Sequence, residues 1–312
     1  MSSEPPQLRI TLAFLSLLLI WSTTPLAVVL SLRDLDAVWS LSIRMLVAAS
    51  VAHIILRISG SRLEVSANAL QSYLIGSLSV FAAMFFTYMG ARHLPSGLIS
   101  ILYGASPLIV GLLSVAFLPG TRLLGAQWTG MALGLVGLIC MFWRSQQGGN
   151  IDIPSVLYIL TGVSCYSLSG ILMRRRKTLL PPLMQTTGAL WFSLLGCLMV
   201  LPFFRDAMPQ HMPGWVSMAA VFYSAGFSSI FAMLCYFYLL QHIQASTVSL
   251  TTLINPVFAL CLGMLINHER FQARTLAGIG LIFAGLLLYY CKELVVLWQG
   301  RRAVAALAEQ QG

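Results

Sequence analysis

HLPSGLISILYGASP, from His93 to Pro107, and HIQASTVSLTTLINP, from His242 to Pro256, are two settings of one pattern. Each begins with a histidine, passes a short polar turn, and continues as an apolar run to a proline fourteen positions on. The copies lie 149 residues apart. Farther along, Gly130 and Gly137 in GMALGLVG match Gly278 and Gly285 in GIGLIFAG at a spacing of 148, so a single-residue gap reconciles the two alignments. The chain reads as two versions of one unit.

What surrounds those stretches fixes the solvent they meet. Of 312 residues, 58% are hydrophobic and 9% charged, too little polar surface to coat soluble domains. A hydrocarbon core of roughly 30 Å takes about 20 helical residues to cross. Ten apolar runs come close to that length: 10–30, 39–56, 69–91, 96–118, 124–143, 154–173, 184–204, 215–238, 245–267 and 273–297. Lipid offers no water to stray amides, and the period-two alternation of a membrane barrel is missing, so the runs are helices. The expected fold class is an all-α polytopic membrane protein with ten transmembrane helices. Five belong to a first repeat, 10–143, and five to a second, 154–297, joined by the linker QQGGNIDIP at 146–154 and flanked by tails 1–9 and 298–312. The first run exceeds the apolar core of a secretory signal, and no A-x-A-like site closes it, so it is read as a retained helix.

Charge and cysteine placement narrow the partners. If the N-terminus is cytoplasmic, eleven Lys and Arg residues fall on that side and six on the other, with Arg44 left inside a run. This is the positive-inside bias, and it predicts both termini in the cytoplasm. The net charge of +9 is thereby spent on topology, so the partners expected are the lipid bilayer and a small-molecule substrate, with no nucleic acid. All six cysteines fall inside apolar runs and none forms a C-x-x-C pair, which makes them small buried hydrophobes. No metal site and no cofactor is expected. Nor is catalysis, because H-E-x-x-H, G-x-S-x-G and a deep carboxylate pair are all missing.

Five runs per half is an odd number, so the second copy enters the membrane from the opposite side. Inverted repeats of this kind underlie many secondary transporters, whose substrate sits near the midplane among interrupted helices. The prolines fall where such interruptions belong. Pro25, in IWSTTPLA, removes a donor and frees the carbonyl of Trp21. Ser96, Ser100, Tyr103 and Pro107 recur at four, three and four and share one face of a helix. Ser249, Thr252 and Pro256 take the positions of Ser100, Tyr103 and Pro107 in the second half, with Asn255 added.

The expected binding set follows. Thr24, Ser100, Ser249, Thr252, Asn255 and the freed carbonyls of Tyr103 and Thr252 would hold an ammonium or hydroxyl group. Trp21, Tyr88, Tyr103 and Tyr238 would form an apolar wall. Arg44 either reaches for the interface or a neighbour's carbonyls, or meets the substrate. All nine acids lie in loops or tails, so no buried carboxylate relay is expected, and a neutral or zwitterionic guest suits the interior. Gly130, Gly134 and Gly137, with Gly278, Gly280 and Gly285, would let helix backbones approach closely, and these faces would also suit a homodimer contact.

IWSTTPLA, LSIRMLVAAS in the second run, the prolines of the fourth and ninth runs, and NHERF followed by LAGIGLIFAG together resemble the drug/metabolite transporter superfamily, in its two-repeat EamA-like branch. The order and duplication of these motifs, from about residue 10 to 297, carry the resemblance. It implies a ten-helix basket in the bacterial inner membrane, with a central cavity lined by helices 1, 3, 4, 6, 8 and 9. It further implies export of amino acids or other small metabolites, lipophilic compounds or drugs being the alternative cargo. Glu269 matches the family's acidic residue after helix 9 and is assigned with Arg44 to coupling or gating, although its counterpart in the first half is Gly120.

Overall fold

The apolar runs are helical wherever the chain is described. A computed structural model describes residues 6–117, 123–142, 152–176, 180–243, 251–266, 273–289 and 291. In chain order the helices are α1 (Pro6–Ser31), α2 (Ala37–Ile58), α3 (Ala67–Gly90), α4 (Ser96–Phe117) and α5 (Gly125–Phe142), then α6 (Ile153–Arg176), α7 (Pro182–Val200), α8 (Trp215–His242), α9 (Thr251–Ile266) and α10 (Ala273–Tyr289). Among the described residues there is no strand. Seven helices, α1 to α4 and α6 to α8, are long and apolar enough to cross a membrane. The other three span 16 to 18 described residues.

Polarity is arranged for lipid. Ser40, Ser72, Thr187, Ser193 and Ser217 are wholly buried, while Leu19, Leu195 and Leu198 are more than half exposed. Apolar side chains that face outward along whole helices suit an apolar surrounding, and buried hydroxyls then hydrogen-bond backbone carbonyls or one another. Ser193 Oγ donates to Ala189 O at 2.6 Å, and Ser40 Oγ to Ser31 Oγ at 2.9 Å.

Helix ends are fixed by short polar contacts. Asp36 caps α2, its Oδ1 accepting from Val38 N at 2.9 Å, and also pairs with Arg92 in the α3–α4 turn. Asp34 accepts from Gly214 N at 3.0 Å and Ser217 Oγ at 2.6 Å, which ties the α1–α2 loop to the start of α8. At the opposite end of the bundle, Gln241 Nε2 donates to Leu180 O at 2.8 Å and Arg176 bonds to Gln71. Among the described residues, the α1–α2, α3–α4 and α7–α8 connections are thus tied together at one end of the bundle, and the start of α3 meets the end of α6 at the other.

Among the described residues, α1 packs on α8 and α9, and α6 on α3 and α4. Likewise α7 packs on both α2 and α3, α2 also on α8, α4 on α9, and α5 on α10. Moving every helix five places along the chain maps each of these pairs onto one of them; α1 also packs on α4, and α4 on α10, outside that pattern. The α5–α10 pair is antiparallel and meets at glycine: a Cβ on Gly130 would lie 2.5 Å from Gly285 O, and one on Gly137 would lie 2.7 Å from Gly278 O. The glycine faces expected to be open to a second copy are therefore covered within the chain, apart from Gly280, which has nothing within 4 Å of its Cβ position.

The interruptions fall partly elsewhere than the prolines suggest. α4 breaks at Ala105, whose N–H turns back to Leu102 O at 3.1 Å, two residues before Pro107. By contrast α1 runs unbroken through Pro25 and α9 through Pro256, since the loss of one amide donor leaves the flanking bonds to carry the helix. Two wide π-helical segments occur instead, Leu78–Ala82 in α3 and Ser224–Phe231 in α8. In an α-helix Ala83 N–H would reach Ser79 O and Ala232 N–H would reach Ser228 O. Here they go to Leu78 O and Phe227 O. Ser79 and Ser228 are 149 residues apart, so equivalent points of the two halves lose the usual donor to a carbonyl.

Candidate functional site

A chamber opens where the irregular turns meet, with about 850 Å³ of empty space, its mouth included. α1, α3, α4, α6, α8 and α9 line it, and α2 adds Arg44. π-bulges are uncommon and often mark functional positions. Both of them border this space, through Ser79 and Val80 on one side and Ser228 and Ser229 on the other.

One wall is polar. Thr24 Oγ1 lies 2.8 Å from Ser228 Oγ and also donates to Ile20 O at 2.7 Å, so a hydroxyl pair bridges α1 and α8 above a carbonyl near Pro25. Arg44 Nε donates to Ser229 Oγ at 2.8 Å. Asn255 meets α1 with its amide nitrogen, which donates to Ser22 Oγ and Leu18 O at 3.1 Å each and to Thr251 O at 3.3 Å. The opposite orientation would set the amide oxygen against those carbonyls. Ser100 completes this polar rim.

The other wall is aromatic. Trp21 stands edge-on to Tyr166 with centroids 5.8 Å apart, and Tyr236 lies 5.5 Å from Trp21 and 5.8 Å from Tyr166. Tyr103 packs against Tyr166 and shares a 2.7 Å hydrogen bond with Thr87. Such a cluster presents electron-rich ring faces to a cation and apolar surface to a hydrocarbon.

The structure brings together Trp21, Thr24, Pro25, Arg44, Ser100, Tyr103 and Asn255 from the sequence-predicted set. Tyr88 and Tyr238 stand elsewhere. Tyr88 is fully buried behind Arg44, its hydroxyl accepting from Nη1 at 3.3 Å and its ring 5.9 Å from the guanidinium carbon. Tyr238 stacks on His242 near the end of α8, with centroids 4.1 Å apart. It lies about 140° around the helix from Met233, which does face the chamber. Pro107 is buried below the α4 break. Ser249 and Glu269 fall outside the described residues, as do the side chains of Thr252 and Pro256. Sequence reasoning passed over Tyr166, Ser79, Ser228 and Ser229 as site residues, and the 149-residue spacing of Ser79 and Ser228 was the signal available for two of them.

Helices apolar outside and hydroxylated inside, around a chamber to which both halves contribute, define a multi-pass membrane protein. The chain belongs to the EamA-like transporter family, whose profile matches it twice, at residues 8–143 and 153–291. It is 24% identical over 286 residues to the uncharacterized transporter YoaV of Bacillus subtilis (strain 168), covering 90% of this chain and 96% of YoaV. To the uncharacterized inner membrane transporter YedA of Escherichia coli (strain K12) it is 26% identical over 280 residues, covering 88% and 89%. A solved crystal structure with 19% sequence identity superposes at a TM-score of 0.62 over 89% of this chain and 95% of its own, a likeness of fold.

Proposed function

We propose that the protein is a secondary transporter that carries small neutral or zwitterionic metabolites, amino acids or compounds like them, outward across the bacterial inner membrane. Alternating access between two inverted five-helix repeats is the mechanism, with ten helices crossing the bilayer and both termini in the cytoplasm. The observation that carries this reading is the chamber itself, bordered at Ser79 and Ser228 by equivalent wide turns of the two halves. The helix pairs that recur on moving five places along the chain support the repeat. So does the glycine seam, because an axis that interchanges two antiparallel helices runs perpendicular to them, hence in the membrane plane. The inner-membrane assignment draws on YedA.

The polar rim suits hydrogen-bonding groups of an uncharged or zwitterionic guest, and the aromatic wall suits its apolar or ammonium end. A second reading, a broad exporter of lipophilic compounds, is favoured by Met84 and Met233, whose flexible thioethers adapt to varied shapes. Uptake of radiolabelled amino acids into proteoliposomes tests the first reading, and competition by hydrophobic cations separates the two. Liposomes that accumulate no member of either class above protein-free controls would sink both.

A further inference from the structure

Arg44 is 3% exposed and stands on the chamber wall, yet every group that holds it is neutral. Nε donates to Ser229 Oγ at 2.8 Å, and Nη1 to Tyr88 OH at 3.3 Å and, weakly, to Met84 Sδ at 3.8 Å. Among the described residues no side chain accepts from Nη2, and no carboxylate pairs with the guanidinium. The described acids, Asp34, Asp36, Glu64, Asp152 and Asp206, lie outside the long spans or in the polar turn closing one of them. A buried guanidinium carries a standing desolvation penalty that neutral acceptors offset only in part, and an anion offsets it best. Its planar fork of donors matches a carboxylate.

We infer that the cargo bears a carboxylate and that Arg44 is its anchor. The inference rests on the transport reading only in taking the chamber as the cargo site. One fixed positive charge, with no second cation among the described residues of the chamber wall, sets the balance at a single negative group and disfavours a phosphate dianion. Ser229 and Tyr88 hold Nε and Nη1 of the guanidinium, so Nη2, on a residue that borders the empty space, keeps donors that no described side chain accepts from. On the same chamber, Trp21, Tyr103 and Tyr166, with Tyr236 packed behind them, receive the ring or ammonium at the other end of the molecule. Carboxylate and aromatic wall together select a compact amphiphile, anionic at one end.

A matched probe series tests this: L-phenylalanine, 3-phenylpropionate, phenethylamine and phenyl phosphate, each titrated against purified protein while its thermal stability is followed. The two carboxylates are expected to raise the stability of the wild type, and phenethylamine is not. Arg44→Gln should weaken carboxylate binding about 10- to 100-fold, the size of a lost charge-assisted hydrogen bond. Arg44→Lys, which keeps the charge without the fork, should retain part of it. Where Arg44→Gln is not monodisperse, Ser229→Ala serves instead, and it should weaken both carboxylates by a common factor. The anchor is overturned if phenethylamine or phenyl phosphate stabilises as well as phenylalanine, if neither carboxylate binds, or if the Arg44 and Ser229 variants bind both carboxylates unchanged. Flux in liposomes separates this from the transport reading. Carboxylate binding without flux removes transport and leaves the anchor, whereas phenethylamine flux undiminished in Arg44→Gln removes the anchor and leaves transport.

Discussion

Gly130 and Gly285 meet backbone to backbone: the carbonyl oxygen of each lies 2.5 Å from where a Cβ on the other would sit. A main-chain carbonyl cannot swing aside as a side-chain tip can, so even alanine forces α5 and α10 apart. Gly130→Ala is expected to cost about 1–3 kcal/mol, the usual range for overpacking, read as a lower unfolding temperature in detergent. Gly280→Ala, with nothing within 4 Å, is the control and should hold or raise stability, since alanine favours helix by about 1 kcal/mol over glycine. Equal melting of the two variants would remove the close seam.

The Thr24–Ser228 hydroxyl pair at 2.8 Å links α1 to the wide turn of α8, one half of the chain to the other. Thr24→Val and Ser228→Ala should each cost about 0.5–1.5 kcal/mol. Their double variant should cost less than the sum, because the second change removes a bond already lost. Strict additivity in a thermal-unfolding cycle would show that the two side chains do not interact.

Asn255 holds α9 to α1 through amide donors, so its substitutions should rank by the ability to donate. Asn255→Leu leaves the Leu18 carbonyl and Ser22 hydroxyl with a lost partner, at about 1–3 kcal/mol, and is expected to abolish uptake. Asn255→Gln should retain some activity. Asn255→Asp, which offers at most one donor where the amide offers two, should fare worse than the wild type. Wild-type uptake by the leucine variant, at matched expression, would take Asn255 out of the site.

Sidedness can be read by labelling. Val65 lies beyond α2, and Met212, almost fully exposed, precedes α8. In a background without native cysteines, Met212→Cys should react with a membrane-impermeant maleimide in intact cells, while Val65→Cys should react only after lysis. The reverse pattern would invert the orientation predicted from arginine and lysine placement. Labelling of both from outside would contradict the helix order.

Long apolar runs and the glycine spacing made the helices and the doubling legible from residue types alone, because lipid allows few alternatives to a helix. Trp21, Thr24, Ser100, Tyr103 and Asn255 were readable as neighbours because helical spacing and the repeat register put them on matching faces. Tyr238 was misplaced because an aromatic near a helix end carries no mark of the face it occupies. Arg44 was ambiguous for the same reason: a mid-span arginine can turn outward or inward, and only its contacts with Ser229 and Tyr88 decide. Proline suggested paired breaks in α4 and α9, yet among the described residues the paired irregularities are the segments in α3 and α8, where no proline stands. A π-turn depends on how neighbouring helices pack, and that information is spread over the whole bundle.

Those two segments also act as spacers. Each accommodates its extra residue by widening, so whatever follows keeps the compass bearing that an unbroken α-helix would give it. Removing one amino acid from Leu78–Ala82 would let α3 rewind to the ordinary pitch with Met84 and Thr87 still turned to the void they now border, whereas the same deletion in a regular turn of α3 would swing everything beyond it by about 100°. A single-codon deletion inside either segment should therefore harm the protein less than one in the regular turns beside it, for only the latter would re-aim half a helix at once.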